Sequence, residues 1–109
     1  MTELTAEDAK LVTLARGARG RIGADEGAAI RDEMGRTYSG ATVDRPHLKI
    51  TALELAVAQA VASGATRIEC AVIVGGAGVD TACVADLGGS GVAVLLCAPD
   101  GTVQERREA

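Results

Sequence analysis

Aromatic side chains are almost absent from this chain of 109 residues, which has one tyrosine, Tyr38, and neither phenylalanine nor tryptophan. Its core must therefore be built from Ala, Val, Leu and Ile. Proteins that bind single-stranded nucleic acids stack the bases on aromatic rings, so this class is disfavoured. The net charge of −4 argues in the same direction, because nucleic-acid binding relies on cationic side chains. Binding to nucleic acid is therefore not expected.

Long apolar segments and paired cysteines are also missing. The most apolar stretch, residues 48–63, is too short and carries too many charged residues to span a membrane. The N-terminus is acidic and has no apolar leader, so no signal peptide is expected. The three cysteines, Cys70, Cys83 and Cys97, lack metal-type pairing. Cys70 and Cys97 lie in apolar strand-like segments, where a free thiol is typically buried. A reduced, cytoplasmic protein is predicted.

Alternating helical and strand-like segments predict one α/β domain over residues 1–109. The helices are predicted at about 5–18, 48–63 and 81–87, and the strands at 27–31, 36–43, 67–74 and 92–98. A glycine-rich connection is expected at 75–78. An edge strand can begin at Thr102, and residues 103–109 are predicted to form a charged, frayed tail. This order predicts a three-layer α-β-α fold, with helices on both faces of a mixed, mostly parallel sheet of four or five strands.

The segment 48–63 is predicted to be the central helix. At 100° per residue its apolar positions go all the way round, which is typical of a buried helix, and Gly64 follows as a C-terminal cap. One sheet can cover only about half of such a helix. A homo-oligomer, a dimer or a tetramer, is therefore expected to cover the rest.

Several short strings of residues resemble the cytidine deaminase family. Residues 27–30 (GAAI) and 35–44 (GRTYSGATVD) match a strand, turn and strand of that family. The helix that ends before Gly64 resembles the segment that carries its first metal ligand, and residues 80–83 (DTAC) resemble its second. The likeness extends over about residues 15–101 and implies the cytidine deaminase-like fold.

The same resemblance implies that the chemistry of the family is missing. Its deaminases use a zinc-bound hydroxide held by three His or Cys ligands, and a glutamate that shuttles protons. Here Thr51, Asp80 and Cys83 occupy the ligand positions, and Leu53 occupies that of the glutamate. A hydroxyl is a poor zinc ligand, and a hydrocarbon moves no protons. No catalytic residue and no cofactor are therefore predicted.

Glu54 aligns where relatives of the three-cysteine type carry an arginine that offsets the thiolate charge. Sliding the alignment by one residue would place Glu54 at the catalytic position. That shift would put Ala52 at a metal ligand and break the match at Gly64, so we reject it.

The resemblance also implies a vestigial ligand pocket. Thr42 and Asp44 align with the residues that hold the ribose hydroxyls, although a strand residue and a turn residue are the favoured interpretations. The candidate pocket residues are Thr42, Asp44, Thr51, Glu54, Asp80 and Cys83. An improvised metal site of His47, Asp80 and Cys83 is a weaker alternative to an exposed loop histidine.

The predicted function is accordingly that of a non-catalytic deaminase-like protein. It acts by oligomeric assembly, by binding a nucleoside-like ligand, or by binding a protein partner. The alternative is a divergent nucleoside deaminase with an altered metal site, and zinc is expected only in that case.

Overall fold

The computed structural model describes residues 4–76, 80–89 and 91–109. Within them, three helices and seven strands follow one another along the chain. They are α1 (Ala6–Ile22), β1 (Gly27–Asp32), β2 (Thr37–Ala41), β3 (Val43–Arg45), β4 (Leu48–Ile50), α2 (Ala52–Ala62), β5 (Ile68–Val74), α3 (Ala82–Gly88), β6 (Ala93–Cys97) and β7 (Val103–Glu108). The predicted connection at 75–78 falls partly on residues outside the described ranges.

Five strands form the main sheet, in the order β2-β1-β5-β6-β7, and β3 and β4 form a separate hairpin. Among the described pairs of the main sheet, β5 and β6 are parallel, and the other three pairs are antiparallel. The prediction of a mostly parallel sheet is therefore wrong. Parallel neighbours need a long crossover connection, which α3 supplies between β5 and β6, whereas tight turns join β1 to β2 and β6 to β7.

Helices cover both faces of this sheet, which confirms the predicted α-β-α architecture. Buried residues of α1 pack with one face of the sheet, including Cys70 and Cys97, so both thiols are buried as predicted. Buried residues of α2 and α3 pack against the opposite face. No helix among the described residues is long and apolar enough to cross a membrane.

Helix α2 begins four residues later than the sequence pattern predicted. Leu48–Ile50 is a strand that pairs with Val43–Arg45, and Thr51 caps the helix that starts at Ala52. The signal that marks this start, Thr51-x-x-Glu54, is a capping box.

The predicted burial of α2 on all sides is also wrong for the single chain. One face is buried, whereas the opposite face lies in solvent, with Val61 56% exposed. The single sheet and the short α3 cover one side of the helix, and its solvent side carries Val61, two alanines, Glu54 and Gln59.

The C-terminal segment is an edge strand, so the possible strand near Thr102 is confirmed and the prediction of a frayed tail is wrong. A turn closes with hydrogen bonds from the Gly101 N–H to the Ala98 carbonyl and from the Ala98 N–H to the Thr102 carbonyl, both 2.8 Å. It brings Val103–Glu108 back antiparallel to β6. The backbone N–H and C=O groups of β6 form hydrogen bonds with this strand, although its side chains are charged.

The predicted hairpin of β1 and β2 is present, and a buried aspartate stabilises its turn. Asp32 has 0% exposure and lies beneath the exposed turn residues. Its carboxylate accepts hydrogen bonds from the backbone N–H groups of Met34 and Arg36, from the Arg36 guanidinium and from the Tyr38 hydroxyl. The hydroxyl of Tyr38, the only tyrosine of the chain, therefore helps to stabilise the turn of the hairpin.

Helix α1 begins where predicted, since the Thr5 hydroxyl accepts a hydrogen bond from the Asp8 N–H at 3.0 Å. It runs past the predicted end near Ala18 to Ile22. Gly23, with φ of 63°, supplies the left-handed residue that ends the helix.

Candidate functional site

The six candidate pocket residues line two adjoining cavities beside the N-termini of α2 and α3. The first, of about 340 Å³, includes Thr42, Asp44, Thr51 and Glu54. The second, of about 250 Å³, is lined by Thr51, Glu54, Asp80, Ala82, Cys83 and Asp86. Because the two cavities share Thr51 and Glu54, the fold brings all six candidates together in one region.

A larger depression, of about 680 Å³, lies elsewhere, between α1 and the β1–β2 turn. Its charged lining consists of Glu7 and Lys10 on the exposed side of the helix. We assign the candidate site to the two smaller cavities, because chemically versatile side chains from several elements converge there.

Thr51 and Glu54, which the two cavities share, are engaged in capping α2. The Thr51 hydroxyl accepts a hydrogen bond from the Glu54 N–H at 3.1 Å, and Glu54 Oε1 accepts one from the Thr51 N–H at 3.0 Å. Leu53, which lies between them in the sequence, is fully buried in the core beneath α2. These three residues therefore have clear structural roles.

The remaining part of the second cavity is acidic around a neutral thiol. Asp80 Oδ1 accepts a hydrogen bond from the Ala82 N–H at 2.9 Å. Burial raises the pKa of the half-buried Cys83 thiol, and the carboxylates of Glu54, Asp80 and Asp86 raise it further. The thiol is therefore protonated at neutral pH.

The residues at the three implied ligand positions do not fit a zinc ion. Thr51 offers only a hydroxyl that is already used in capping. That leaves two groups of the kind that binds zinc, the Asp80 carboxylate, which accepts a backbone N–H, and the Cys83 thiol. Structural and catalytic zinc sites use at least three thiolate, imidazole or carboxylate ligands. No group of three or more His, Cys, Asp or Glu side chains in residues 4–76, 80–89 and 91–109 is placed to hold a metal.

His47 is not part of such a group with Asp80 and Cys83. It lies in the exposed turn between β3 and β4. The weaker alternative of an improvised metal site therefore finds no support in the arrangement of these residues.

The first cavity carries the groups with which a hydroxylated ligand can form hydrogen bonds. Asp44 pairs with Lys49 across the β3–β4 hairpin at 2.7 Å, and both side chains are largely exposed. An exposed ion pair of this kind contributes roughly 0–1 kcal/mol, so the carboxylate can exchange it for a ligand hydroxyl at little cost. Thr42 accepts a hydrogen bond from the Glu26 N–H at 3.1 Å.

Sequence reasoning missed three residues of this region. Asp86 lies one helical turn after Cys83, so an i, i+3 pattern on the predicted helix was a sufficient signal. Lys49 was assigned to the central helix, and only the β3–β4 pairing places it opposite Asp44. Glu26 carries no recognisable signal, because hydrogen bonds between distant segments place it beside Thr42.

The fold and the site together define a deaminase-like α-β-α protein whose cavities lie at the N-termini of two helices. The sequence model of the family described as cytidine deaminase-like matches residues 4–101, and the chain belongs to that family. No curated protein sequence matches it.

Solved cytidine deaminase structures have the same fold. The enzyme of Burkholderia pseudomallei is 23% identical, with a TM-score of 0.76 over 97% of this chain and 92% of that one. The Mycobacterium leprae enzyme is 20% identical, with a TM-score of 0.69 over 93% of each chain. The Mycobacterium tuberculosis enzyme is 21% identical, with a TM-score of 0.68 over 93% of this chain and 91% of that one. At these identities the likeness concerns the fold.

Proposed function

We propose that this protein is a non-catalytic member of the family that binds a nucleoside-like ligand in the two adjoining cavities and acts as a homo-oligomer. The proposal rests on the residues at the three implied metal-ligand positions and at the implied position of the catalytic glutamate. Thr51 and Asp80 accept backbone hydrogen bonds, Leu53 is buried in the core, and Cys83 alone carries a thiol. No activated water and no proton carrier are supplied by this set.

The ligand class follows from the size and polarity of the cavities. Small-molecule sites typically occupy roughly 300–1,000 Å³ and combine apolar walls with a few polar groups. The first cavity, of about 340 Å³, has Ile50 and Val43 beside the Asp44 carboxylate and beside Thr42, whose hydroxyl is bonded to the Glu26 backbone. A sugar with vicinal hydroxyls suits the Asp44 carboxylate, and because solved structures with the same fold are cytidine deaminases, a nucleoside is the proposed ligand.

Uridine and cytidine are expected to bind, and Asp44→Ala is expected to weaken their binding at least about fivefold, because hydrogen bonds to a carboxylate are among the stronger ones. Isothermal titration calorimetry measures this. Glu105→Ala is the matched control, since Glu105 is also an exposed, ion-paired carboxylate but lies on β7. Equal affinities of the two variants, or no nucleoside binding by the wild type, would contradict the proposed ligand class.

Cytidine is not expected to be converted to uridine above the rate without protein. The absence of a general acid/base alone removes about 10²- to 10⁴-fold in rate, and the absence of an activated water adds to this. The change in ultraviolet absorbance on deamination, followed at high protein concentration, measures the rate. Elemental analysis measures the zinc content. The purified protein is expected to carry no stoichiometric zinc. Turnover that scales with protein and disappears in Glu54→Gln would establish the divergent deaminase instead.

The protein is expected to sediment as a dimer or a tetramer at low micromolar concentration. What supports assembly is the solvent side of α2, where Val61 is 56% exposed between the exposed Ala58 and Ala62. Each aliphatic side chain of this size contributes about 1.5–3 kcal/mol when it is buried. Val61→Lys places a charge on that face and is expected to yield the 11.0 kDa monomer.

The matched control for assembly is Ile22→Lys, because Ile22 is 65% exposed but lies at the C-terminal end of α1. It is expected to leave the sedimentation of the protein unchanged. A wild-type monomer, or equal dissociation by both variants, would rule out assembly through α2.

A further inference from the structure

Five polar side chains line the first cavity, along the β3–β4 hairpin and the start of α2. They are Thr42, Asp44, Lys49, Thr51 and Glu54. Three of the five are already engaged within the chain, since the Thr42 hydroxyl accepts from the Glu26 N–H at 3.1 Å and Thr51 and Glu54 cap α2 through mutual hydrogen bonds. Asp44 and Lys49 are therefore the two that a ligand can engage without disturbing a backbone contact or a helix cap.

Asp44 and Lys49 form a pair across the hairpin. They are directly opposite in the register of β3 and β4, so their side chains project from the same face. Lys49 Nζ donates to Asp44 Oδ1 at 2.7 Å, and the two side chains are 71% and 74% exposed. An ammonium group has three donors and a carboxylate has two acceptor oxygens. Within residues 4–76, 80–89 and 91–109 neither side chain makes another hydrogen bond, so two donors and one oxygen remain for a ligand.

A donor and an acceptor placed side by side match two neighbouring hydroxyl groups. One hydroxyl of a cis-diol donates to the Asp44 carboxylate, and the oxygen of the other accepts from the Lys49 ammonium. The two oxygens of such a diol are separated by about one hydrogen-bond length, as Nζ and Oδ1 are. Hydrogen bonds to charged groups are stronger than those between neutral groups, so the pair favours a diol over a single hydroxyl.

We propose that Asp44 and Lys49 together bind the cis-diol of a ribose, and that Lys49 makes the site selective for ribonucleosides over deoxynucleosides. The inference rests on the proposed function, in which a nucleoside occupies the first cavity and Asp44 accepts its hydroxyls. Lys49 adds the donor that the second hydroxyl oxygen requires. A deoxyribose leaves either the donor or the acceptor without its partner.

Calorimetric titration with three ligands tests the selectivity. Cytidine, 2′-deoxycytidine and 3′-deoxycytidine share the base and differ only in the hydroxyls of the sugar. Each deoxy compound is expected to bind at least about fivefold more weakly than cytidine, because one hydrogen bond to a charged group is lost. Equal affinities for cytidine and either deoxy compound would overturn the proposal.

Lys49→Met tests the part played by the ammonium. The substitution keeps a long unbranched side chain and removes the donor, so one of the two losses is expected to shrink to less than about twofold, as for directly coupled groups. Lys49→Arg keeps a charged donor and is expected to retain both losses. Lys10→Met removes an exposed lysine of α1 outside the cavity, and it controls for the change in net charge. Unchanged affinity ratios in Lys49→Met, or equal changes in Lys49→Met and Lys10→Met, would overturn the role of Lys49.

A sugar without a base separates this inference from the proposed ligand class. Methyl ribofuranoside and its 2-deoxy analogue are titrated at millimolar concentration, while NMR follows the backbone amide signals of the β3–β4 hairpin. If no nucleoside binds, saturating shifts with the ribofuranoside and smaller shifts with its 2-deoxy analogue would retain the diol site and refute the nucleoside. In that case, the absence of shifts with either sugar would overturn the diol site as well.

Discussion

Asp32→Ala is expected to lower the free energy of unfolding by about 2–3 kcal/mol, since the substitution leaves donors of the hairpin without their acceptor. The carboxylate has no accessible surface and accepts four hydrogen bonds. Its position just beneath the exposed turn lets water reach some of these donors after the substitution, so the loss is smaller than for a deeply buried ion pair. Urea-induced unfolding followed by circular dichroism measures the change.

The pH dependence of this effect has a defined sign. Burial alone would raise the pKa of Asp32, but the hydrogen bonds from Met34, Arg36 and Tyr38 lower it below the ordinary aspartate value. A group whose pKa is lower in the folded state stabilises the protein above its unfolded pKa, about 3.9, and this contribution is lost as the pH falls through the folded pKa. The difference between wild type and Asp32→Ala is therefore expected to be constant near neutral pH and to shrink below about pH 4.

Asp100→Ala is the matched control for Asp32→Ala. Asp100 also accepts a backbone N–H within a turn, that of Thr102 at 2.8 Å, and these bonds also lower its pKa. It is exposed, so water replaces the lost acceptor. A loss of stability as large in Asp100→Ala as in Asp32→Ala would contradict the role assigned to burial.

Gly27→Ala is expected to lower the free energy of unfolding by about 3 kcal/mol, at the upper end of the usual cost of overpacking. A β-carbon at Gly27 would lie 2.0 Å from the Ala15 carbonyl oxygen and 2.8 Å from Arg19 Cβ. The first contact is with backbone, so α1 must move away from the sheet to relieve it. Urea-induced unfolding measures the change in the free energy of unfolding. Hydrogen exchange of the backbone amides of α1 is expected to become faster than in the wild type.

Gly20→Ala, in the same helix, is the control with the opposite sign. A β-carbon there meets nothing within 4 Å. Alanine is favoured over glycine inside a helix by about 0.5–1 kcal/mol, so this variant is expected to be more stable than the wild type. Equal changes in the free energy of unfolding in Gly27→Ala and Gly20→Ala would show that α1 does not pack directly against β1.

The elements with strong local signals were predictable from the sequence. Thr5 caps α1 through a bond to a residue three positions away, and the β1–β2 hairpin is marked by its turn residues. The continuous apolar segments that contain Cys70 and Cys97 became buried strands β5 and β6. In each case the interactions that stabilise the element join neighbours in the chain or require only that apolar side chains be buried.

The start of α2 and the C-terminal segment differ from the predictions for identifiable physical reasons. The apolar periodicity of residues 48–63 predicts a single helix, whereas the Thr51-x-x-Glu54 capping box starts α2 at Ala52 and Leu48–Ile50 pairs as a strand. The charged side chains of residues 103–109 favour water and so predict a tail. Backbone hydrogen bonds to β6, which do not depend on side-chain type, make most of them a strand instead.

The six candidate site residues were found through local likeness to a family, but their surroundings were not predictable in this way. Local sequence signals were sufficient for the α-β-α layers, the positions of most helices and strands, and the types of side chain at the implied ligand positions. Long-range packing established which strands are neighbours, that α1 rests on Gly27, and that the Glu26 backbone bonds to Thr42. The physical reason is that these contacts join separate segments of the chain, such as Glu26 and Thr42, which are 16 residues apart, or depend on the space left by neighbouring backbone. Neither the long-range contact nor the available space is expressed in a local pattern.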